Sequence, residues 1–373
     1  MRSPRTVRLI ATLTAVLALA VAVPASATSA GYSYRTIAEG SDTLSLGQCP
    51  AINNLGTVAF AVSEFDPETS DSEERILRGS GGQLTTIADE GDGLDSISGN
   101  PSINDLGAVA FDANPSNADR EVILRGSGGA LTEIARAGST RRFDSFTADV
   151  SLNNLGRVAF TGELSADGDE GLFEGSGGPV ATRYLASTSQ FAGSISQPSL
   201  SDLEQVSFTE ELDTGAQGVF RQSPGGGVTT VADDGGELQS FGSRTSLNNL
   251  GRVAFTAFDD DQTREALFTG RGGALTEVAN TLGDYSSFGF GGPSLNDLGR
   301  VAFQADLDDF ASSGVFTGQG AVADAVIRTG TTVGGRTVQS VTACREMLNI
   351  RGQVAAKVTF EDFSEAIVRA TPR

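Results

Sequence analysis

The 373-residue chain has no histidine and no tryptophan, only two cysteines and two methionines, and a single lysine, Lys357. Without histidine, the commonest general base near neutral pH and the commonest nitrogen ligand for metals are both missing. A serine array here therefore has no partner to turn it into a nucleophile. Positive charge is scarce: 26 arginines and lysines face 47 acids, for a formal net charge of −21. That balance argues against nucleic acid, and against an anionic membrane surface, as a partner of the whole chain.

Beyond the first thirty residues there is no long apolar run. Arg2, Arg5 and Arg8 precede an apolar stretch from Leu9 to Val23, and Pro24 and Ala25-Ser-Ala27 follow it. This order predicts a secretory signal over residues 1–30, with cleavage near Ala27 or Ala30, and an extracytoplasmic protein. Loss of the three leader arginines would take the formal charge from −21 to −24. The chain ends Ala370-Thr-Pro-Arg373, with no anchor expected, and a monomer without membrane insertion is the reading.

What is there in abundance is repetition. The phrase Asn53-Asn-Leu-Gly56-Thr-Val-Ala-Phe60 returns at Asn104 to Phe111, Asn153 to Phe160, Ser201 to Phe208, Asn248 to Phe255, Asn296 to Phe303 and Asn349 to Ala356. The starts lie 47 to 53 residues apart. A period of this size predicts stacked supersecondary units that tile residues 31–373 as one domain. Asn-x-x-Gly suits a turn, and the following Val-Ala-Phe suits a strand. In the sixth unit further strands are expected at Gly314-Val-Phe316 and Val322 to Ile327, joined by Gly318-Gln-Gly320. Four short strands per unit, labelled a to d, and seven units predict an all-β fold, a seven-bladed β-propeller. The clusters Gly79 to Gly82, Gly126 to Gly129 and Gly270 to Gly273 read as hairpin turns, because no helix and no Lys-Ser/Thr follows them.

The ends of the chain fit closure. The seventh unit stops one strand short, near Ala366 to Arg369, while Tyr34 to Ala38 resembles strand d of other units, such as Leu275 to Ala279. The N-terminal strand is expected to complete the last blade and remove two open edges. Cys49 and Cys344 then fall on neighbouring blades. An exported pair is expected to form a disulfide, stabilising by ~4–5 kcal/mol in the chain-entropy model; two separated free thiols are the alternative.

With these residues in hand, the phrase resembles the repeat of a bacterial exported tandem-repeat family named for its pattern, NxxGxxAF. The strongest matches are Asn53/Gly56/Ala59/Phe60, Asn104/Gly107/Ala110/Phe111, Asn153/Gly156/Ala159/Phe160, Asn248/Gly251/Ala254/Phe255 and Asn296/Gly299/Ala302/Phe303. The chain departs from the pattern at Ser201, Glu204, Ser207 and Ala356. The resemblance implies an exported repeat protein and no particular activity. The blade pattern is also similar to the TolB-type propeller repeat, which supports the strand order alone.

Chemistry is expected where the units differ, in the loops between strands b and c. Seven such segments hold 26 of the 47 acids. They predict an acidic face suited to a cation or to an extracellular protein or glycan, or else a solubilising surface. Asp167, Asp169 and Glu170, and Asp259, Asp260 and Asp261, are candidate calcium ligands, with Asp89, Asp92 and Asp95 as a further cluster. The inner strands look bland: Ala51, Ser102, Ser151, Ser199, Ser246 and Ser294, broken by Arg345 and Glu346, which read as structural. A tryptophan-ended Asp-box of the sialidase kind is missing. The favoured reading is a secreted, non-catalytic binding scaffold with no catalytic residues assigned. The alternative is a secreted polysaccharide hydrolase or lyase using paired loop carboxylates.

Overall fold

Each phrase turns the chain from a short inner strand into a long one. In the first unit Leu44–Leu46 and Ala51–Ile52 both pair with Val58–Asp66. That strand pairs with Asp71–Gly79, which pairs with Thr85–Asp89. A computed structural model describes residues 31–116, 120–193, 196–309 and 311–373, so the expected signal over 1–30 lies outside the described residues. The same meander recurs around Val109–Pro115, Val158–Leu164, Val206–Glu211, Val253–Asp259, Val301–Leu307 and Val354–Phe360. Pairing within each meander is antiparallel, and one parallel contact, Ala137 with Phe143, fuses two meanders into a nine-stranded sheet. The fold is all-β.

The inner strands are interrupted. At the break Gly47, Gly242 and Gly289 donate their N–H to carbonyls of Ala61, Thr256 and Gln304 on the long strand. A Cβ at Gly47 would sit 3.1 Å from Ala61, so the backbones approach as closely as glycine permits.

Apolar packing runs from unit to unit. Phe60, Phe111, Phe160, Phe208, Phe255 and Phe303 are all buried. Both sides of the middle strands are covered, as at Leu267 and Phe268 on Glu265–Gly270, because each sheet packs against two neighbours. Every cluster joins consecutive units: Ile76 with Phe111, Ile123 with Phe160, Leu172 with Phe208, Val219 with Phe255, Leu267 with Phe303, Val315 with Phe360. A further cluster places Phe60 of the first unit with Ile367 of the last.

The chain ends meet. Tyr32–Glu39 pairs antiparallel with Glu365–Pro372, with Tyr34 opposite Ala370 and Ala38 opposite Ile367. Cys49 and Cys344 form a disulfide across the same seam, their Cα atoms 5.0 Å apart. Two local expectations need correction. The outer strand of the sixth unit is Ala325–Arg328, and Val322 lies exposed in the turn before it. Arg345 and Glu346 are not on a strand: Arg336–Thr342 ends earlier, and the chain turns at Glu346 with φ 69°.

Candidate functional site

The repeated turns come together at one end of the molecule, and their asparagines explain the motif. Asn53 Oδ1 accepts the N–H of Leu55 and Thr57, at 3.1 and 2.9 Å, closing its own turn. Its Nδ2 donates to the backbone carbonyl of Asn104, 2.9 Å away in the next unit. Asn104 reaches Asn153, Asn153 reaches Ser201, Asn248 reaches Asn296, Asn296 reaches Asn349, and Asn349 returns to Asn53 at 3.0 Å. An asparagine amide is long enough to accept two N–H groups of its own turn with its oxygen and to donate across to its neighbour with its nitrogen. The shorter Ser201 hydroxyl accepts the Gln205 N–H within its own turn and does not reach the next unit, so the relay lapses there.

A second girdle lies beside the first. Asn54, Asp105, Asn154, Asp202, Asn249 and Asp297 alternate amide and carboxylate. The N–H of Asn54 donates to Asp105 Oδ1, that of Asp105 to Asn154 Oδ1, and so on to Asp297, at 2.7–2.8 Å. The amides of Asn54 and Asn154 both donate to Asp105 Oδ2, and those of Asn154 and Asn249 both donate to Asp202 Oδ2. Ile350 interrupts the alternation and gives only its N–H, to Asn54 Oδ1 at 2.9 Å. The glycine of the turn serves a third set of links. Arg78, Arg125, Arg221 and Arg369 each donate to the carbonyl of a neighbouring turn, at Gly107, Gly156, Gly251 and Gly56. Gly56 has φ 85°, and a Cβ there would stand 2.9 Å from the Arg369 guanidinium. In the third unit Glu174 takes the arginine's strand position, and Arg183 from the outer strand supplies the link to Glu204 while pairing with Glu174.

Behind the girdles is a cavity of about 160 Å³, walled by the serines of the inner strands. Each hydroxyl accepts the N–H of the next inner strand: Ser102 from Leu152, Ser151 from Leu200, Ser199 from Leu247, Ser246 from Leu295, Ser294 from Leu348. The serine row thus ties strands together. Its floor is Glu346, whose carboxylate accepts from Ser102 at 2.9 Å. Burial pushes that carboxyl up to about 7. Arg345 beside it donates to the carbonyls of Pro198 and Val150, and Asp149 pairs with Arg244. The Cys49–Cys344 disulfide lies beside Arg345 and Glu346 at this end.

The opposite end carries the b–c hairpins, since strands in a meander alternate direction. Not all the acids near these tips are free. Glu74, Glu121, Glu265 and Glu365, near the starts of their strands, accept the N–H of Ile97, Phe146, Phe288 and Leu46 in the next unit. Glu170 holds the corresponding place, with a carboxylate oxygen 3.1 Å from where Gly193 would carry a Cβ. These carboxylates join sheets, which the loop count could not reveal.

The candidate calcium ligands lie on two separate hairpins. Asp167 accepts from the N–H of Asp169 at 3.3 Å, and Asp169 accepts from the N–H and hydroxyl of Ser187. Asp259 accepts from the N–H of Thr263 and Arg264, and Asp261 from the N–H and hydroxyl of Thr263. Asp89 caps a short turn through the N–H of Gly91. Among the described residues no group of three or more acidic or sulfur side chains is disposed to hold a metal ion.

One hairpin does open onto a cleft. Asp259, Asp260 and Asp261 face Asp233, Glu237 and Arg264 around a space of about 840 Å³ that Leu238 and Phe268 also line. The Thr263 hydroxyl and N–H hold the Asp261 carboxyl below its ordinary range. Glu277, at the far rim, is desolvated, but its bonds to Arg264 and Asn280 outweigh this and lower it. Burial also pushes up Glu265, next to Arg264 on this hairpin, but its carboxylate accepts the Phe288 N–H of the next unit and does not line the space; Glu210, raised to about 7 beside the Tyr184 hydroxyl, and Asp112, raised to about 6 beside Ser98, lie elsewhere.

A family model described as a family of unknown function, DUF7453, matches residues 52–192 and 237–365. No curated protein matches. Among solved structures, the chain is similar to an oligogalacturonate lyase from Vibrio parahaemolyticus, with 10% identity over 92% of this chain and 98% of that one and a TM-score of 0.52. It is also similar to a puromycin-hydrolyzing peptidase from Mycobacterium tuberculosis, with 13% identity over 92% of this chain and 55% of that one and a TM-score of 0.55. The β-propeller domain of the trilobed protease of Pyrococcus furiosus matches at 11% identity over 79% of this chain and 98% of that one, with a TM-score of 0.40. At such identities the likeness concerns the β-propeller fold alone.

Proposed function

We propose that this chain, which belongs to the DUF7453 family of unknown function, is an extracytoplasmic, non-catalytic binding scaffold built as a seven-bladed β-propeller. Seven phrases, clusters joining each unit to the next, and a last unit completed by Tyr32–Glu39 support the blade count. The N-terminal leader and the disulfide support an oxidising compartment.

The observation that carries the binding role is the cleft at Asp259–Asp261. It gathers carboxylates from two loops over an apolar floor, on a rigid sheet, at the size of a ligand pocket. Of its acids, Asp261 is held down by Thr263 and Glu277 by Arg264 and Asn280, and neither is pushed up as a general acid would be. A general acid–base pair needs pKa values driven apart. A set of like carboxylates instead suits a cationic group next to an apolar one, such as an arginine- or lysine-rich peptide segment; calcium on Asp259, Asp260 and Asp261 is the smaller occupant of the same charge. Calcium at Asp167, Asp169 and Glu170 is proposed only as a weaker site, because Glu170 also serves the joint between units.

Calorimetric titration with an arginine–leucine peptide tests the reading. Binding should weaken at least ~tenfold in Asp259→Asn/Asp261→Asn and with added salt. Equal affinity in wild type and variant would remove the cleft from the proposal. Release of unsaturated or reducing sugar from uronate polysaccharides by purified protein would replace the scaffold reading with the lyase or hydrolase.

A further inference from the structure

The third residue of the repeated turn is apolar in six of seven units, and none of the six is buried. Leu55, Leu106, Leu155, Leu203, Leu250 and Leu298 are 60–82% exposed. Scattered exposed leucines need no explanation. Six at one repeated position do, because the core gains nothing from them. Each follows the repeated turn, anchored by an asparagine in every unit but that of Leu203, where Ser201 stands: the N–H of Leu55, Leu155, Leu250 and Leu298 all donate to the motif Asn at 3.1 Å. The turns are bound to one another through both girdles. The leucine tips therefore stand level, as a crown around the mouth of the cavity.

The surroundings of the crown are basic. Arg351 takes the leucine's place in the seventh unit, and Arg300, Arg271 and Arg35 are exposed at the same end. The carboxylates here are fewer and engaged: Asp105, Asp202 and Asp297 accept from asparagine amides, Glu204 pairs with Arg157 at 3.4 Å, and Asp324 accepts the Gly320 N–H. Most of the negative charge sits on the hairpins at the other end. Whole-chain charge thus conceals an end of opposite character.

We propose that this crown docks peripherally on an anionic lipid surface, leucines entering the interfacial layer and arginines meeting the headgroups. A level ring of apolar tips fits a planar, deformable partner that needs no register. A second copy fits poorly. Its crown would set arginine against arginine. Its opposite end is uneven, with the Val58–Asp66/Asp71–Gly79 hairpin nine residues a side and Ser313–Phe316 only four. Docked this way, the hairpin acids Asp259, Asp260 and Asp261 lie at the far end from the membrane; the proposal does not depend on what their cleft binds.

The test is sedimentation of the mature protein with vesicles of phosphatidylcholine alone or mixed with phosphatidylglycerol, at low and physiological salt. Wild type should partition onto phosphatidylglycerol vesicles, more weakly as salt rises. Leu106→Glu/Leu298→Glu should lose at least ~tenfold of that partition with unchanged melting, since both side chains are exposed. Arg300→Glu/Arg351→Glu should lose the preference for anionic lipid. Failure of wild type to partition, or equal partition of the leucine variant, overturns the proposal. Leucine-dependent self-association in analytical ultracentrifugation without lipid overturns it too, and assigns the crown to a second copy.

Discussion

Asn248 carries a relay link whose strength can be worked out bond by bond. The side chain is 3% exposed, accepts from Leu250 and Arg252 and donates to the Asn296 carbonyl at 3.1 Å. Asn248→Ala leaves the N–H groups of Leu250 and Arg252 without partners and removes the bond to the Asn296 carbonyl, which keeps the Gly299 N–H; three lost bonds at roughly 1 kcal/mol each amount to about 3 kcal/mol. With ~2.1 cal/mol/K per residue over about 340 residues, that lowers Tm by about 4 °C. Asn248→Asp separates the two roles: both acceptor bonds survive, and the donor becomes a carboxylate oxygen facing a carbonyl. Such a carboxyl is raised above the unfolded value of about 3.9, so protonation restores a donor. The Asp variant should match wild type below about pH 4 and fall behind as pH rises through its raised folded value. Ser201→Asn runs the other way: it supplies the missing donor toward Asn248 and should stabilise by about 1 kcal/mol. Urea unfolding of oxidised protein between pH 4 and 7 measures all three. An Asp variant equal to wild type at pH 7, or an Ala variant losing under ~1 kcal/mol, would refute the relay.

Three further outcomes are expected. Cys49→Ser/Cys344→Ser opens a link between residues 295 apart and should lower stability by about 5 kcal/mol in the chain-entropy model, read by urea melts with and without reductant. Glu346 is protonated more readily folded than unfolded, its carboxyl reaching about 7, so stability should fall as pH rises from about 4.5 to 7; Glu346→Gln should flatten that slope, and an unchanged slope would place the titration elsewhere. Sodium chloride should raise Tm by screening the hairpin acids, and calcium chloride at matched ionic strength should raise it further only where a carboxylate cluster takes the ion.

The period and the turn chemistry were readable because they are local: Asn-x-x-Gly states its geometry within four residues. The seam between Tyr32–Glu39 and Glu365–Pro372 was readable because a missing strand and a spare one matched. The disulfide followed from that seam. Other features depend on which way a side chain leaves the backbone. Glu74 and Glu265 sit beside hairpin tips in sequence and were counted with the loops, yet they reach into the next unit. The exposure of the turn leucines depends on which way each side chain leaves its turn, and the apolar phrase around them does not state it. The Asn/Asp alternation at 54, 105, 154, 202, 249 and 297 was in plain view, but its meaning requires the units to stand side by side.

That alternation has an arithmetic consequence. A cycle in which every amide is flanked by carboxylates, and every carboxylate by amides, closes only for an even number of members. With seven phrases, one member must be neither, and it is Ile350. The misfit falls between Asp297 and Asn54, where the first and last units meet. Parity therefore marks the seam: a unit inserted or swapped elsewhere would set amide against amide or carboxylate against carboxylate. Away from Ile350 the pattern survives only growth or loss by whole pairs of units, whereas beside Ile350 a single unit can be gained or lost without breaking it.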